Sequence, residues 1–281
     1  MSTKKIKSVQ LKSKKKIGII GCGAIGTGLA VAIDQNGVKG GRLVGVSDRV
    51  AQKARKLSRR LRQAPPVLEI DTLVDRSDLV VECAQASLVP DLLKQIIQKR
   101  KDLLILSTGG VLGQKALLEK ARKAGCRIII PSGALFGVDG IKAASLLPIK
   151  KMVLTTRKPP RSFEGAPFVL RRRIRLDAIR KEKLLFQGNV AQAVEAFPQN
   201  INVAATLGLA GADLRKFVVR IIADPRAKRN SHEVMVEGPA GKLVSKCENV
   251  PASENPKTSR LAVLSAIAAL KSFLDPVRIG T

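Results

Sequence analysis

The chain has one histidine in 281 residues, His232, in the segment RNSHEV. A free imidazole titrates near pH 6.5, so it is well suited to exchange a proton at neutral pH. The segment follows VVRIIADP, an apolar run closed by Asp224 and Pro225. Spacing alone leaves two readings open. His232, Val234 and Val236 alternate along one strand face, so the imidazole is either a hydrogen-bonded packing residue or a proton carrier. A second chemical signal is GCGAIG, with Gly21, Gly23 and Gly26, which follows an apolar strand and opens the helical run TGLAVAI. An acid, Asp48, stands 22 residues after Gly26, at the end of the next strand pattern. That context is the one in which G-x-G-x-x-G holds a dinucleotide. Gly21 permits the tight turn, Gly23 lets the backbone approach a pyrophosphate, and Gly26 lets helix pack on strand. The helix N-terminus at Ala24 and Ile25 supplies N–H donors to the anion. Asp48 is positioned to accept hydrogen bonds from the adenosine ribose, which favours NAD. Arg49 beside it can pair with a 2′-phosphate, so NADP stays open. The basic stretch beyond, seven Lys or Arg and no acid from 49 to 62, strengthens that alternative.

The remaining chemistry-bearing residues point less far. Cys22, Cys83, Cys126 and Cys247 are widely spaced, with no CxxC and no metal-ligand spacing. They read as reduced thiols of a cytoplasmic protein, and no metal is expected. Lysines 12 and 14–16 followed by IGIIGCGAIGTGLAVAI imitate a signal peptide or membrane anchor. The regular glycines and the 17 uncharged residues, short for a span, favour strand, turn and helix instead. The chain is strongly basic, with 51 Lys and Arg against 22 Asp and Glu, a formal net charge of +29. Such a balance suits nucleic acid, anionic surfaces or anionic small molecules. The absence of Trp and Tyr leaves few platforms for bases. Nucleic acid is therefore expected only as a weak, salt-dependent contact of the basic tail.

The elements that must position these residues alternate in the first half. Strand patterns fall at 16–20, 43–47, 67–70, 79–82, 103–106 and 127–130, and helical patterns at 51–61, 89–98 and 114–123, the last stopped by Gly125. Alternation of this kind predicts an α/β fold with a doubly wound parallel sheet of the Rossmann type. After Pro131 the glycine-rich PSGALFGVDG predicts a loop. Strand-like runs follow at 152–156 and 168–176, helical ones near 190–196 and 203–209, then strands at 217–222, 233–237 and 243–247. This predicts a second, α+β domain. A final helix is expected from Asn255 as N-cap and Pro256 as first residue.

From Lys16 onward the chain resembles the L-aspartate dehydrogenase family. The resemblance rests on GIIGCGAIG, STGGV (107–111), PSGALFGVDGIKAA (131–144), TTRKP (155–159), FPQNINVAATLGLAG (197–211), ADPRAKRNSHEV (223–234) and ENPKTSRLAVLSAI (254–267). It implies a Rossmann domain (16–133 plus 255–281), completed by the C-terminal helix and carrying an inserted α+β catalytic and dimerisation domain (134–254). The basic tail (1–15) and RRRIR (171–175) depart from the family pattern, and the tail's mutually repelling lysines with no apolar face predict that it is disordered. The resemblance implies a homodimer that oxidatively deaminates L-aspartate through iminoaspartate, or runs the reverse from oxaloacetate and ammonia, and that feeds NAD synthesis. His232 matches the family's catalytic histidine, and Asn202 and the position of Phe136 match cofactor contacts. Phe136 departs from the small residue expected there. The two substrate carboxylates need donors, for which the backbone of Ser132, Gly133 and Ala134, with Lys257 and Thr258, are candidates. A reductase with paired catalytic histidines is disfavoured by the single histidine, and a cysteine-nucleophile semialdehyde dehydrogenase by the cysteine contexts. A non-enzymatic, NAD-sensing nucleic-acid binder is the rival of another class, with the basic tail as its one supporting feature.

Overall fold

Runs of three or four buried apolar residues with no polar alternation are the mark of strands covered on both faces. The computed structural model, which describes residues 14–280 apart from 199, 200 and 212, places such runs at the centre of a parallel sheet. Strands β1 (Lys15–Ile20), β2 (Gly41–Ser47), β3 (Leu79–Glu82), β4 (Asp102–Ile105) and β5 (Ile128–Ile129) lie in the order β2-β1-β3-β4-β5. The crossovers carry α1 (Ala24–Asp34), α2 (Ala51–Arg60), α3 (Ile70–Arg76), α4 (Val89–Gln98) and α5 (Lys115–Lys123). The chain leaves β1 toward β2 and returns to β3 on the other side, so the strand order reverses beside β1. In an open parallel sheet that reversal makes the ligand crevice. The strand expected at 67–70 shrinks to a single parallel bridge, Val46 with Val67. Ile70 already begins α3, so the third Rossmann strand survives only as this bridge.

Beyond β5, α6 (Val138–Ala144) leads into a second sheet. Its strands β6 (Lys151–Lys158), β7 (Lys183–Gly188), β8 (Phe217–Ala223), β9 (Asn230–Gly238) and β10 (Gly241–Asn249) lie in the order β10-β9-β6-β8-β7. Only β6 and β8 run parallel; the other neighbours are antiparallel. Helices α7 (Pro167–Arg171), α8 (Val190–Ala196) and α9 (Ile201–Leu209) connect them. The core of this half includes Met152, Leu154, Phe163, Phe197, Phe217, Val219, Val234 and Val236. Phe163 meets Phe197 edge to face at 5.7 Å, an arrangement worth about 0.5–1.5 kcal/mol beyond its area. The expected strand at 168–176 is instead α7 and an irregular turn. Pro167 starts the helix, and Phe168 packs on Phe186 and Phe197 rather than in a ladder.

A two-stranded ribbon, β11 (Pro251–Ala252) and β12 (Asn255–Ser259), precedes the last helix, α10 (Arg260–Leu274). The helix starts later than expected: Ser259, not Asn255, is the N-cap, and its hydroxyl accepts from the Ala262 N–H at 3.1 Å. Ala266 and Leu270 of α10 join the core around Ile17, Leu29 and Val46. Gly28 permits this return, because a Cβ there would come within 2.4 Å of Val263. The basic tail falls outside the described residues through position 13.

Candidate functional site

The glycine loop has the shape its spacing predicts, for reasons that differ at each glycine. Gly21 sits at φ +99°, a region L side chains rarely adopt, and an added Cβ would lie 2.5 Å from the Cys83 carbonyl. At Gly26 an added Cβ would lie 1.8 Å from the Gly21 carbonyl. Gly23 is different. A Cβ there would meet nothing within 4 Å, so nothing in the protein itself requires glycine at that position. Gly23 is the N-cap of α1 and carries no side-chain cap. Backbone N–H groups therefore open onto free space at the positive end of a helix, which suits a pyrophosphate.

Asp48 braces this loop. Its carboxylate accepts from the Cys22 N–H at 2.7 Å and from the Val50 N–H at 2.8 Å. Each oxygen keeps a further lone pair for a ribose hydroxyl. A cavity of about 530 Å3 lies on this side, lined by Gly23, Ala24, Lys53, Lys56 and Arg60 among others. Arg60 pairs with Glu254 at its edge at 2.6 Å. Arg49 is exposed beside Asp48.

A second cavity, of about 280 Å3, opens beyond the loop between the two sheets. It is lined by Ile25, Thr108, Ser132, Gly133, Ala134, Lys158, Asn202, Asn230, His232, Thr258 and Ser259 among others. Adjacent residues of α1 thus face different cavities, Ala24 the first and Ile25 the second.

His232 is brought here by β9. It lies opposite Thr156 of β6 in the antiparallel register, and Nδ1 is 3.0 Å from the Thr156 hydroxyl. The imidazole is buried. Burial, with the Lys158 ammonium nearby, pushes its pKa from 6.5 down to about 3. The ordinary value assumed from sequence therefore does not hold in the folded protein, where the ring is neutral at physiological pH. Lys158 is lowered by burial from 10.5 to about 8. Asn202 ties the halves together: its side-chain carbonyl accepts from the Gly109 N–H at 3.1 Å and its backbone carbonyl from the Thr108 hydroxyl at 2.8 Å. STGGV is held from below by the buried Glu82, which accepts from Ser107 N–H and Ala84 N–H.

Ile25, Ser132, Gly133, Ala134, Asn202, His232 and Thr258 thus line the second cavity, and Gly23 and Ala24 the first, while Gly21, Gly26, Asp48 and Arg49 line neither. Phe136 also lines neither. Its side chain is 67% exposed and lies off the cavity wall: the loop turns at Gly133 (φ +66°) and Gly137 (φ +78°), and of its residues 131–134 line the cavity. The Lys257 side chain lies outside the described residues, while Thr258 lines the cavity. Sequence reasoning missed Thr156 and Lys158, although TTRKP was singled out as a segment. The missing signal was the period of two, which sets Thr156 and Lys158 on one strand face. The cysteines are poor nucleophiles: burial raises all four, Cys22 to about 12 with help from the Asp48 charge. Among the described residues no cluster of three metal-binding side chains occurs.

Comparison with known proteins bears on both halves. Residues 21–131 match the family model described as homoserine dehydrogenase, NAD binding domain, and residues 139–273 match aspartate dehydrogenase, C-terminal. An L-aspartate dehydrogenase of Methanococcoides burtonii is 46% identical over 95% of this chain and 99% of its own. One of Bradyrhizobium diazoefficiens is 38% identical over 96% and 95%. The crystal structure of the aspartate dehydrogenase of Thermotoga maritima superposes with a TM-score of 0.75 at 25% identity, covering 95% of this chain and 99% of that one. With a dinucleotide loop, a lone histidine in the interdomain cavity and full-length similarity of this order, the chain belongs to the L-aspartate dehydrogenase family.

Proposed function

We propose that the chain oxidises L-aspartate to iminoaspartate with NAD or NADP, and that the reverse, reductive amination of oxaloacetate with ammonia, uses the same site. The observation that carries this reading is the single cavity joining the helix end after the glycine loop to His232 and the 132–134 backbone. The open space at Gly23 fits the cofactor's pyrophosphate. The bound nicotinamide would supply the hydride acceptor for Cα. The protein must then orient Cα and remove a proton from the substrate ammonium. His232 takes that proton: in the tautomer whose Nδ1–H donates to the Thr156 hydroxyl 3.0 Å away, Nε2 carries the lone pair. Asn202 holds the STGGV backbone against the cavity, and Ser132 to Ala134 offer backbone donors to substrate. Purified protein with L-aspartate and either dinucleotide should develop reduced-nicotinamide absorbance. No absorbance with either cofactor, in either direction, would overturn the assignment.

Three finer features belong to the same reading. We divide the chain at about residues 133 and 255, because residues 135–236 share one core and residues 17–126 share two others, one of them joined by α10. The protein works as a homodimer through the second sheet. That sheet presents half-buried Val153, Val218 and Met235 with exposed Val244, and the buried Arg220 Nε on β8 lacks a partner among the described residues. Light scattering on the purified protein should give twice the chain mass. The product iminoaspartate feeds NAD synthesis in the cytoplasm, where reduced cysteines belong; no helix among the described residues is long and apolar enough to cross a membrane.

A further inference from the structure

We propose that Lys158 is the cation that holds a carboxylate of the substrate, set beside the proton-accepting histidine by the register of β6 against β9. The proposal rests on the dicarboxylate reading above. Thr156 lies directly opposite His232 in that register, and Lys158 is two residues further along β6. A strand turns residues i and i+2 to the same face. Lys158 and His232 are therefore diagonal neighbours on one face of the sheet, at the end that meets the glycine-loop domain.

The cavity wall makes the chemistry specific. Both residues line it, together with Ser132, Asn202 and Thr258. Among the described side chains of that wall, Lys158 is the lysine or arginine present; the others are neutral or apolar. L-Aspartate brings two negative charges and one positive charge into this space. A buried carboxylate needs an opposite charge and hydrogen-bond donors, or its desolvation prevents binding. Backbone N–H groups near Ser132 supply donors, and the ammonium supplies the charge. Burial in this wall lowers the lysine's pKa. At about 8 its pKa still leaves it mostly protonated at pH 7, so it is a poor proton acceptor there and a good carboxylate partner. Its charge is also one of the causes that hold His232 neutral. A substrate carboxylate paired with Lys158 offsets that charge and makes the imidazole a stronger base when substrate is present. Binding and proton acceptance are thereby linked through two side chains on one strand pair.

Lys158→Met and Lys158→Gln separate this role from others. With L-aspartate and saturating cofactor, both variants should raise KM on the order of 10²–10³-fold, the range for removing one partner of a desolvated charge pair. Their kcat should fall much less, and NADH affinity should match wild type. Succinate, which has two carboxylates and no amino group, should quench bound-NADH fluorescence in wild type and lose affinity by a similar factor in the variants. L-Asparagine distinguishes the two carboxylates. A narrowed aspartate-to-asparagine preference in the variants assigns Lys158 to the side-chain carboxylate, and an equal loss on both assigns it to the α-carboxylate. Either supports the proposal. A folded variant with unchanged KM and unchanged succinate affinity overturns it, as does a fall in kcat alone. If wild type fails to turn over L-aspartate, the activity assignment fails, while the succinate titration still decides Lys158. Should Lys158→Met melt below the assay temperature, Lys158→Gln carries the same comparison with a side chain that keeps hydrogen-bonding capacity.

Discussion

A neutral imidazole buried against Thr156 and near a lysine is a ready but weak base, because its protonated form is disfavoured by both burial and charge. His232→Ala should lower turnover by roughly 10²–10⁴-fold, the usual range for a positioned acid or base. Cofactor affinity should hardly change, since the proposed seat of the dinucleotide is the glycine loop. His232→Asn keeps a hydrogen-bond partner for Thr156 but cannot take the proton. Stopped-flow turnover and thermal melts on the Asn variant decide between the two readings of this residue. Near-normal turnover with a lowered melting temperature would make the imidazole a packing residue. The location of His232 was legible in the sequence because it is unique and follows a strand pattern. Its titration was not, since that depends first on burial in the folded protein and then on Lys158, 74 positions away in the chain and brought near by the β6–β9 pairing.

The dinucleotide loop is where local sequence determined most, because its strand, glycine turn and helix are contiguous, although Gly21 answers to Cys83 and Gly23 to no protein atom within 4 Å. Its three glycines make a sharp contrast. At Gly23 an added Cβ meets nothing within 4 Å, so Gly23→Val should fold normally while losing NAD affinity about tenfold or more. Gly26→Ala forces a Cβ onto the Gly21 carbonyl and should unfold or strongly destabilise the first domain. Calorimetry with cofactor titration separates them; a Gly23→Val protein with wild-type affinity would remove the pyrophosphate from this helix end. The misread elements fail for a shared reason. At 67–70 and 168–176 apolar residues bury without pairing in a ladder, the first as a single bridge ahead of α3, the second as aromatic packing from α7. Apolar patterning reports burial and cannot by itself report hydrogen-bond partners. The strand β7 was missed because KLLFQG follows a highly charged stretch and pairs only at the sheet edge with β8. The start of α10 was misjudged because Asn-Pro is a good cap signal. Here the β11–β12 ribbon takes those residues and leaves the cap to Ser259.

Over the whole molecule, charge sets the conditions under which the fold is stable. The described chain begins with β1, whose Lys15 pairs with Asp102 at 3.0 Å, so a truncation that removes residues 1–13 spares this contact. It should keep full turnover and lose salt-dependent RNA binding in a gel shift; a large loss of turnover at equal stability would put the tail in the site. Protons act through buried His232 and half-buried Lys158. His232 titrates at about 3 in the folded protein against 6.5 when unfolded. Between those values the unfolded chain binds more protons, so this residue's contribution favours folding above pH 6.5 and is lost as pH falls toward 3. Lys158, at about 8 against 10.5, acts in the same direction in another window: its burial opposes folding below pH 8, and the penalty is relieved as pH rises toward 10.5. The buried Glu82 carboxyl, raised by desolvation, works the other way above its unfolded value of 4.5. A melting curve of the wild type alone therefore mixes opposing slopes, and only differences between variants isolate one group. His232→Asn should flatten the stability rise between pH 4 and 6.5 by up to a few kcal/mol, at 1.36 kcal/mol per pKa unit, with no effect between pH 8 and 10. Lys158→Met should do the reverse, leaving the acid side largely parallel to wild type and removing the alkaline gain. If the His232→Asn melting temperatures run parallel to wild type from pH 4 to 6.5, the imidazole is not buried in the neutral form. The linkage between Lys158 and the base would then fail with it.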